Sequence, residues 1–145
     1  MDLYTTFAVD AEKMAAGVWH VIEETTDYPV AEAEIGDKVA VLIGGVESPR
    51  YRQLLERKMK PIVMRRGADV DLTVREKVTA EAIAECVILD WRNWIIQGTA
   101  WPYTKENVLK IWLEPQWIGL KSRLLAIIGD TDIFKIAHEE AVIKN

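Results

Sequence analysis

The residues of this chain that could perform acid–base or nucleophilic chemistry are two histidines and one cysteine, His20, His138 and Cys86. Neither histidine has a partner at the HxxxH or HxxE spacing that zinc sites use, so we interpret both as ordinary surface or boundary residues and expect no metal. Cys86 lies within an apolar pattern that is typical of a helix, where a thiol packs as a small hydrophobic group. A single cysteine also excludes an intramolecular disulfide.

Two other motifs that could serve catalysis or nucleotide binding are incomplete. Gly44-Gly45 follows a candidate strand, but the sequence has neither the GxxxxGK[ST] nor the GxGxxG pattern that cradles phosphate. The carboxylates of Glu23-Glu24 and Glu139-Glu140 are adjacent in sequence, so they do not project together from a helix or a strand. We therefore expect no enzyme activity and no cofactor.

Tryptophan is concentrated in one part of the chain. Five of the six tryptophans lie between residues 91 and 117. Such a cluster either fills a core or anchors an interface, because indole combines a large apolar area with one hydrogen-bond donor. We expect Trp91, Trp94 and Trp117 in the core. Trp101, in a predicted loop, and Trp112, in a helix with apolar neighbours on both sides, are our candidates for contact with a partner.

Charge is distributed unevenly along the chain. Residues 2–37 hold nine acids against Lys13 alone, a net charge of −8, and residues 50–66 hold seven bases against Glu56, a net charge of +6. Either the basic helix lies near the acidic segment, or both are solvated, or the charges steer a partner. Tyr51 is the only aromatic residue among these basic side chains, and single-stranded nucleic acid is usually bound by several aromatic rings, so we do not expect nucleic acid as a partner. The basic candidates for partner contact are Arg50, Arg57, Arg65 and Arg66.

Length and composition predict one compact domain, and the lack of a secretory or membrane-spanning pattern predicts a location in the cytoplasm. The 145 residues are 50% hydrophobic and 28% charged, which excludes a disordered or fibrous chain and allows a real core. The net charge of −5 argues against a surface that wraps DNA. The first residues lack the pattern of a secretory signal, and no apolar stretch reaches the ~20 residues that span a bilayer.

Local patterns predict an α+β fold that is mainly helical, with an N-terminal β-hairpin or small antiparallel sheet and about five helices. Strands are expected at 30–35 and 38–43, joined by a Gly36-Asp37 turn, and at 17–22. Helices are expected at 48–60, ending before Pro61, at 72–96, at 104–113, at 115–128 and from about 131 onward, with a loop at 67–71. Residues 1–47 then form a β-rich region and residues 48–145 a helical region, together one compact unit.

Several short motifs in the second half of the chain resemble one protein family. They are ILDWRNW at 88–94, PYTKENV at 102–108, the helix end Trp112-Leu113 and the terminal FKIAHEEAVIKN at 134–145. In this order and spacing they resemble the tail assembly chaperones of tailed bacteriophages, over about residues 85–145. Residues 43–51 are also similar to the strand and proline-started helix of that family.

The resemblance implies a factor that acts in the cytoplasm of the bacterial host and is absent from the mature virion. It implies binding of the tape measure protein, whose apolar helical segments the chaperone keeps soluble and presents to tail tube subunits. An apolar groove with a charged rim is compatible with that role. The alternative is a structural or adaptor protein of the tail, of the tail completion type. Self-association of the chain stays open.

Overall fold

The computed structural model describes residues 1–66 and 71–135, with only the backbone of Arg66. The strands in this part of the chain are β1 Val18–Ile22, β2 Asp27–Pro29, β3 Ala40–Ile43, β4 Ile88–Arg92, β5 Ile95–Ile96 and β6 Thr99–Ala100. The helices are α1 Leu3–Phe7, α2 Ala11–Ala16, α3 Pro49–Arg66, α4 Leu72–Cys86, α5 Lys105–Leu113 and α6 Ile118–Ile128. Short 3₁₀ turns occur at Glu32–Glu34, Pro115–Trp117 and Thr131–Phe134.

Four of the strands form one antiparallel sheet in the order β2–β1–β3–β4. The strand predicted at 17–22 is confirmed as β1, and its His20 pairs with Pro29 on one side and with Val41 on the other. β4 comes from the second half of the chain and covers the other edge of β3, with Trp91 opposite Val41. The predicted α+β fold, mainly helical with a small antiparallel sheet, is confirmed, and the described residues form six helices rather than about five.

The predicted hairpin between residues 30–35 and 38–43 is wrong. Residues 40–43 do form a strand, but its two edges are occupied by β1 and β4, so residues 30–35 have no edge of β3 to join. Glu32–Glu34 forms an exposed 3₁₀ turn instead, and Ile35 is fully buried. Alanine and glutamate, which fill the middle of this segment, are depleted in strands, and the alternating pattern concealed their weak preference.

The helix predicted over 72–96 ends at Cys86 instead. Val87 still donates its amide to the carbonyl of Ile83, and Ile88 then begins β4. The apolar run continues through both elements, so its periodicity alone does not separate a buried helix from a buried strand. The free edge of β3 accounts for the change, because it offers backbone hydrogen bonds to a segment that contains Ile88 and Trp91, residue types that favour strands.

The helix predicted to stop before Pro61 continues through it to Arg66. Proline has no amide hydrogen, so the carbonyl of Arg57, four residues earlier, loses its helical donor. Pro61 and Arg57 are both exposed, so solvent can reach that carbonyl. Exposure therefore explains why the proline is accommodated inside the helix rather than ending it.

Capping residues account for several of the helix ends. Ser48 Oγ accepts the amide of the residue three positions on at 3.3 Å, and Thr104 Oγ1 makes the corresponding bond of α5 at 3.0 Å. Pro49 occupies the first position of α3, and Gly129 ends α6. Asp130 caps the last 3₁₀ turn.

The two ends of the described chain meet beside the sheet. α1 and α2, which the sequence patterns did not predict, are capped by the carboxylates of Asp2 and Asp10. Val9 forms a β-bridge with Lys135. The final helix predicted from residue 131 lies mostly outside the described residues, as does most of the loop at 67–71. Ile133, in the last 3₁₀ turn, is buried.

α4 is the central helix, as its broad apolar pattern predicts. It packs between α3 and α5, and α6 packs on α5. The main core takes buried side chains from these helices and from β3 and β4: Val41, Ile43, Tyr51, Leu54, Ala80, Ile83, Val87, Ile88, Trp91, Trp94, Val108, Ile111, Trp112, Leu124, Ile127 and Ile128. This main core joins β3 and β4 to the helices, and two smaller buried clusters lie around Met14 and around Trp19.

Trp112 belongs to that core, with 7% of its surface exposed. We expect Trp112→Ala to lower the free energy of unfolding by about 3 to 5 kcal/mol, because truncation leaves a cavity among packed neighbours. Urea denaturation of the variant and the parent chain measures the loss. Leu113→Ala, at a neighbouring position that is 44% exposed, is the control and should cost less than about 1 kcal/mol. Equal effects of the two variants would contradict the core assignment.

Pro61 offers a second test of the fold. We expect Pro61→Ala to increase helicity and to raise the free energy of unfolding by up to about 3 kcal/mol, because the variant restores the missing amide within α3. Far-UV circular dichroism and urea denaturation report the two effects. The exposed neighbour Lys60→Ala should stay within about 0.5 kcal/mol of the parent chain. A less stable Pro61→Ala would show that the proline supports the helix rather than straining it.

Candidate functional site: an aromatic groove

Four of the tryptophans form one cluster beside the sheet. Trp91 stacks on Trp94, with ring centroids 4.1 Å apart and an angle of 6° between the planes. Trp101 stacks on Trp117 at 5.2 Å and 20°. The two pairs are joined by Trp91 and Trp101, whose centroids also lie 5.2 Å apart. Trp91 and Trp94 are buried as predicted, whereas Trp101 and Trp117 are only partly buried, so the cluster runs from the core to the surface.

Hydrogen bonds from the indoles fix this cluster to the backbone. Trp91 Nε1 donates to the carbonyl of Trp101 at 2.7 Å, and Trp94 Nε1 donates to the carbonyl of Ala40 at 3.0 Å. The amide of Trp101 donates in turn to the carbonyl of Trp94 at 2.8 Å. Both buried donors are therefore satisfied, and the bonds connect β3, β4 and the segment around β5 and β6.

A tight hairpin, β5–β6, carries the chain from Trp94 to Trp101. Its turn is Gln97-Gly98, with φ angles of 51° and 78°, and two positive φ angles in succession are the signature of a type I′ turn. Asn93, just before the hairpin, also has a positive φ of 64°, and its side-chain amide donates to the carbonyls of Gly36 and Lys38. The hairpin is thereby tied to the loop that precedes β3.

The hairpin, the sheet and α6 enclose an open groove of about 170 Å³. We call it the aromatic groove. Every residue that lines it is apolar: Ile22, Val39, Trp94, Ile95, Ile96, Trp101, Trp117 and Leu120. Ile95 is 67% exposed and Val39 is 38% exposed, so apolar surface continues to the rim. Exposed apolar surface of this kind is typical of a site where another molecule packs.

The size and lining of the aromatic groove determine what can bind there. Sites for cofactors and drug-sized ligands measure about 300 to 1,000 Å³ and hold a few placed polar groups. This groove is smaller, and its lining supplies no acid, base or nucleophile. It suits one or two large apolar side chains presented by another polypeptide, as when an amphipathic helix inserts its anchors into a hydrophobic groove.

Ile22 forms one wall of the aromatic groove, and Arg123 fixes the turn that follows it. Its guanidinium donates to the carboxylate of Asp27 at 3.0 Å and to the carbonyls of Glu23, Glu24 and Thr26 in the turn between β1 and β2. One side chain of α6 thus binds four acceptors of that turn. Charge-assisted bonds with fixed fork geometry are among the strongest in proteins, so this contact sets the position of the β1 end against α6.

The structure separates the residues that we considered for partner contact. Trp101 lines the aromatic groove, whereas Trp112 lies in the core. Arg50, Arg57 and Arg65 are exposed on α3, which contributes nothing to the lining of the groove. The side chain of Arg66 is outside the described residues.

Sequence reasoning missed most of the groove. Ile22, Val39, Ile95 and Leu120 come from four separate segments of the chain, and only the assembled fold brings them together. Trp117, which we expected in the core, also lines it. The available signal was Gln97-Gly98, a pair of turn residues flanked by apolar residues, which marks a short hairpin that presents its neighbours at the surface.

The structure describes two of the three groups that we considered for chemistry, Cys86 and His20. Burial raises the pKa of the Cys86 thiol, which disfavours the reactive thiolate. His20, expected at the surface or boundary, is instead buried in β1, with Nδ1 3.1 Å from the carbonyl of Val18. Burial also raises the pKa of Tyr103, whose hydroxyl donates to the carbonyl of Ile88 at 2.6 Å. His138 is outside the described residues.

Within residues 1–66 and 71–135 no cluster of three His, Cys, Asp or Glu side chains is placed to hold a metal ion. The helices in the same part of the chain are all too short or too polar to cross a membrane.

The Arg123 contacts can be tested by substitution. We expect Arg123→Met to lower the free energy of unfolding by about 2 kcal/mol, because four acceptors lose a charged donor while the apolar stem is kept. Thermal and urea denaturation measure the loss. Arg52→Met, at an exposed position of α3, is the control and should change stability by less than about 0.5 kcal/mol. Equal stability of the two variants would show that Arg123 does not hold the turn.

Comparison with known proteins assigns the chain to a family. The model of the family described as YdaY prophage protein matches residues 46–126, more than half of the chain. No curated protein and no solved structure matches. The matched segment begins just after β3, extends through most of α6 and contains all four clustered tryptophans. The chain therefore belongs to the YdaY prophage protein family.

Proposed function

We propose that this prophage protein is a tail assembly chaperone that binds the tape measure protein in the aromatic groove. One observation carries the proposal: the groove is open, lined only by apolar side chains and built partly from indole rings. Tryptophan is among the residues that contribute most to binding energy at protein interfaces. The resemblance of residues 85–145 to tail assembly chaperones and the membership of a prophage family support the same role.

The proposed client is an apolar helical segment of the tape measure protein. Before such a segment is buried in the tail, its apolar stripe presents side chains at helical spacing, and one or two of them would fill the groove. The groove would shield the apolar stripe from water and from other apolar protein segments until tail tube subunits assemble around the tape measure protein. The role requires no catalytic step and no cofactor, and we place it in the cytoplasm of the bacterial host, with the protein absent from the mature virion.

Co-expression with the tape measure protein of the same gene cluster tests the proposal. We expect the two proteins to co-purify and the soluble fraction of the tape measure protein to rise. Mass spectrometry of purified particles separates this role from that of a tail adaptor, because an assembly factor should be absent from them. Failure to co-purify and to raise solubility would remove the proposal, and abundant chain in the particles would favour the adaptor.

A groove variant sharpens the same experiment. We expect Ile95→Asp to weaken binding of the tape measure segment by about 2 kcal/mol or more, roughly thirtyfold in Kd, because it places a charge on an apolar rim. Since Ile95 is 67% exposed, the fold should be kept. Isothermal titration with the purified segment measures Kd, and circular dichroism checks the fold.

The matched control is Leu3→Asp in α1. Leu3 is 65% exposed and lies outside the groove, so the variant adds the same charge at an equally accessible apolar position. It should bind with the parent affinity. Equal weakening by both variants would point to a general effect of charge, and no weakening by Ile95→Asp would place the client elsewhere.

A further inference from the structure

A short exposed loop, residues 36–39, leads into β3 and carries part of the aromatic groove. Ile35 and Ala40, on either side of the loop, are fully buried, whereas all four residues between them are exposed. Val39, the last of the four, lines the groove and is 38% exposed. A loop without buried side chains has little packing to hold it in one position. The place of Val39 in the groove therefore depends on contacts that the backbone of the loop makes.

Asn93 connects this loop to the β5–β6 hairpin. Its Nδ2 donates to the carbonyl of Lys38 at 2.7 Å and to the carbonyl of Gly36 at 3.1 Å. An amide nitrogen carries two hydrogens, so both are used in these bonds. Asn93 lies two residues before Ile95, and Lys38 lies one residue before Val39. One side chain thus joins the two segments that carry the most exposed residues of the groove.

The neighbours of Asn93 bind the chain on either side of the loop rather than the loop itself. Arg92 pairs with Glu32, ahead of the loop, and both side chains are exposed, so the pair contributes little to stability. Trp94 Nε1 donates to the carbonyl of Ala40, after the loop, at 3.0 Å. Asn93 is therefore the side chain of this region that binds residues 36–38 directly.

The backbone and side chain of Asn93 both suit this contact. Its φ of 64° lies in the left-handed region, which asparagine adopts more readily than most residues other than glycine. Its short side chain supplies the two donors that the carbonyls require. Aspartate has nearly the same shape and tolerates the same φ, but its carboxylate offers only acceptors at neutral pH. Replacing one nitrogen by oxygen at this position is therefore enough to remove both hydrogen bonds.

We propose that Asn93 is a positioning residue of the aromatic groove, which holds Val39 in place so that the groove is formed before its client arrives. The inference rests on the proposed function, because it concerns affinity for the tape measure segment. A preformed site binds more tightly, since the cost of ordering the loop is not incurred on binding. When only a fraction of the molecules has the groove formed, the apparent Kd rises by the inverse of that fraction.

Binding kinetics separate positioning from direct contact. We expect Asn93→Asp to lower the association rate constant of the tape measure segment about tenfold and to change the dissociation rate constant less than about threefold, because the formed groove makes the same contacts once the client is bound. Ile95→Asp alters a contact and should act mainly by faster dissociation. Stopped-flow tryptophan fluorescence measures both rate constants, since three tryptophans line the groove.

Hydrogen exchange followed by NMR tests the loop without any client. The amide of Ile22 donates to the carbonyl of Val39 at 2.9 Å, so its exchange rate reports whether the end of the loop is in place. We expect Asn93→Asp to raise that rate about tenfold or more, because a carboxylate facing two carbonyls repels them and frees the loop. Gln97→Glu makes the same change in charge at another exposed, positive-φ position of the hairpin region, and should keep the parent exchange rate and binding kinetics.

Asn93→Gly separates the lost hydrogen bonds from the added charge. Glycine adopts a positive φ without steric cost, so the backbone conformation is kept while both bonds are lost. We expect faster exchange of the Ile22 amide and slower association with the client, in the same direction as for Asn93→Asp. Gln97→Gly is the matched control, since it also has a positive φ to keep, and it should match the parent chain. Thermal denaturation checks that all four variants are folded.

Three results would overturn the role of Asn93. They are an unchanged exchange rate of the Ile22 amide in both Asn93 variants, a loss of affinity that comes wholly from faster dissociation, and equal effects of the Gln97 controls. A tape measure segment that does not bind the parent chain would contradict the proposed function, whereas the exchange measurement would still decide whether Asn93 holds Val39 in place. Failure of the proposed function and failure of this inference are therefore distinguished.

Discussion

The stack of Trp91 on Trp94 is the contact on which the rest of the structure depends. The two rings are nearly parallel, and their indole N–H groups donate in different directions, to the carbonyls of Trp101 and Ala40. One ring pair thus connects the central sheet to the β5–β6 hairpin. Because Trp94 and Trp101 also line the aromatic groove, the contacts that stabilise the fold set the shape of the site as well.

The sequence predicted the parts of the fold that are decided locally. The hydroxyls of Ser48 and Thr104 accept amides three residues away, and α6 ends at Gly129, which has no side chain. Each of these signals acts within one helical turn, so the local sequence is enough to place the helix end. Residues 30–35 and 87–92 were misassigned because their structure depends on which edges of β3 are free. That information lies in the pairing of distant segments, and no local pattern contains it.

The candidate site was predicted in the same partial way. Trp101 was selected because it lies in a connection between elements, where side chains tend to reach the surface. Trp112 was selected because apolar residues flank it on both sides, but α5 turns that side chain inward, where it packs in the core. The remaining lining residues are separated by up to about a hundred positions in sequence, as Ile22 and Leu120 show, so only the assembled sheet and α6 reveal them.

During synthesis of the chain, β4 is made well after its partner strand β3. Ile88–Arg92 pairs with Ala40–Ile43 only after two intervening helices have been made. At bacterial elongation rates, the ribosome needs roughly 2 to 10 s to add this stretch. During that interval the bare backbone of an apolar strand is open to pairing with any other nascent strand. The length of the segment between the two strands, residues 44–87, therefore determines how long this edge of β3 stays unpaired during synthesis.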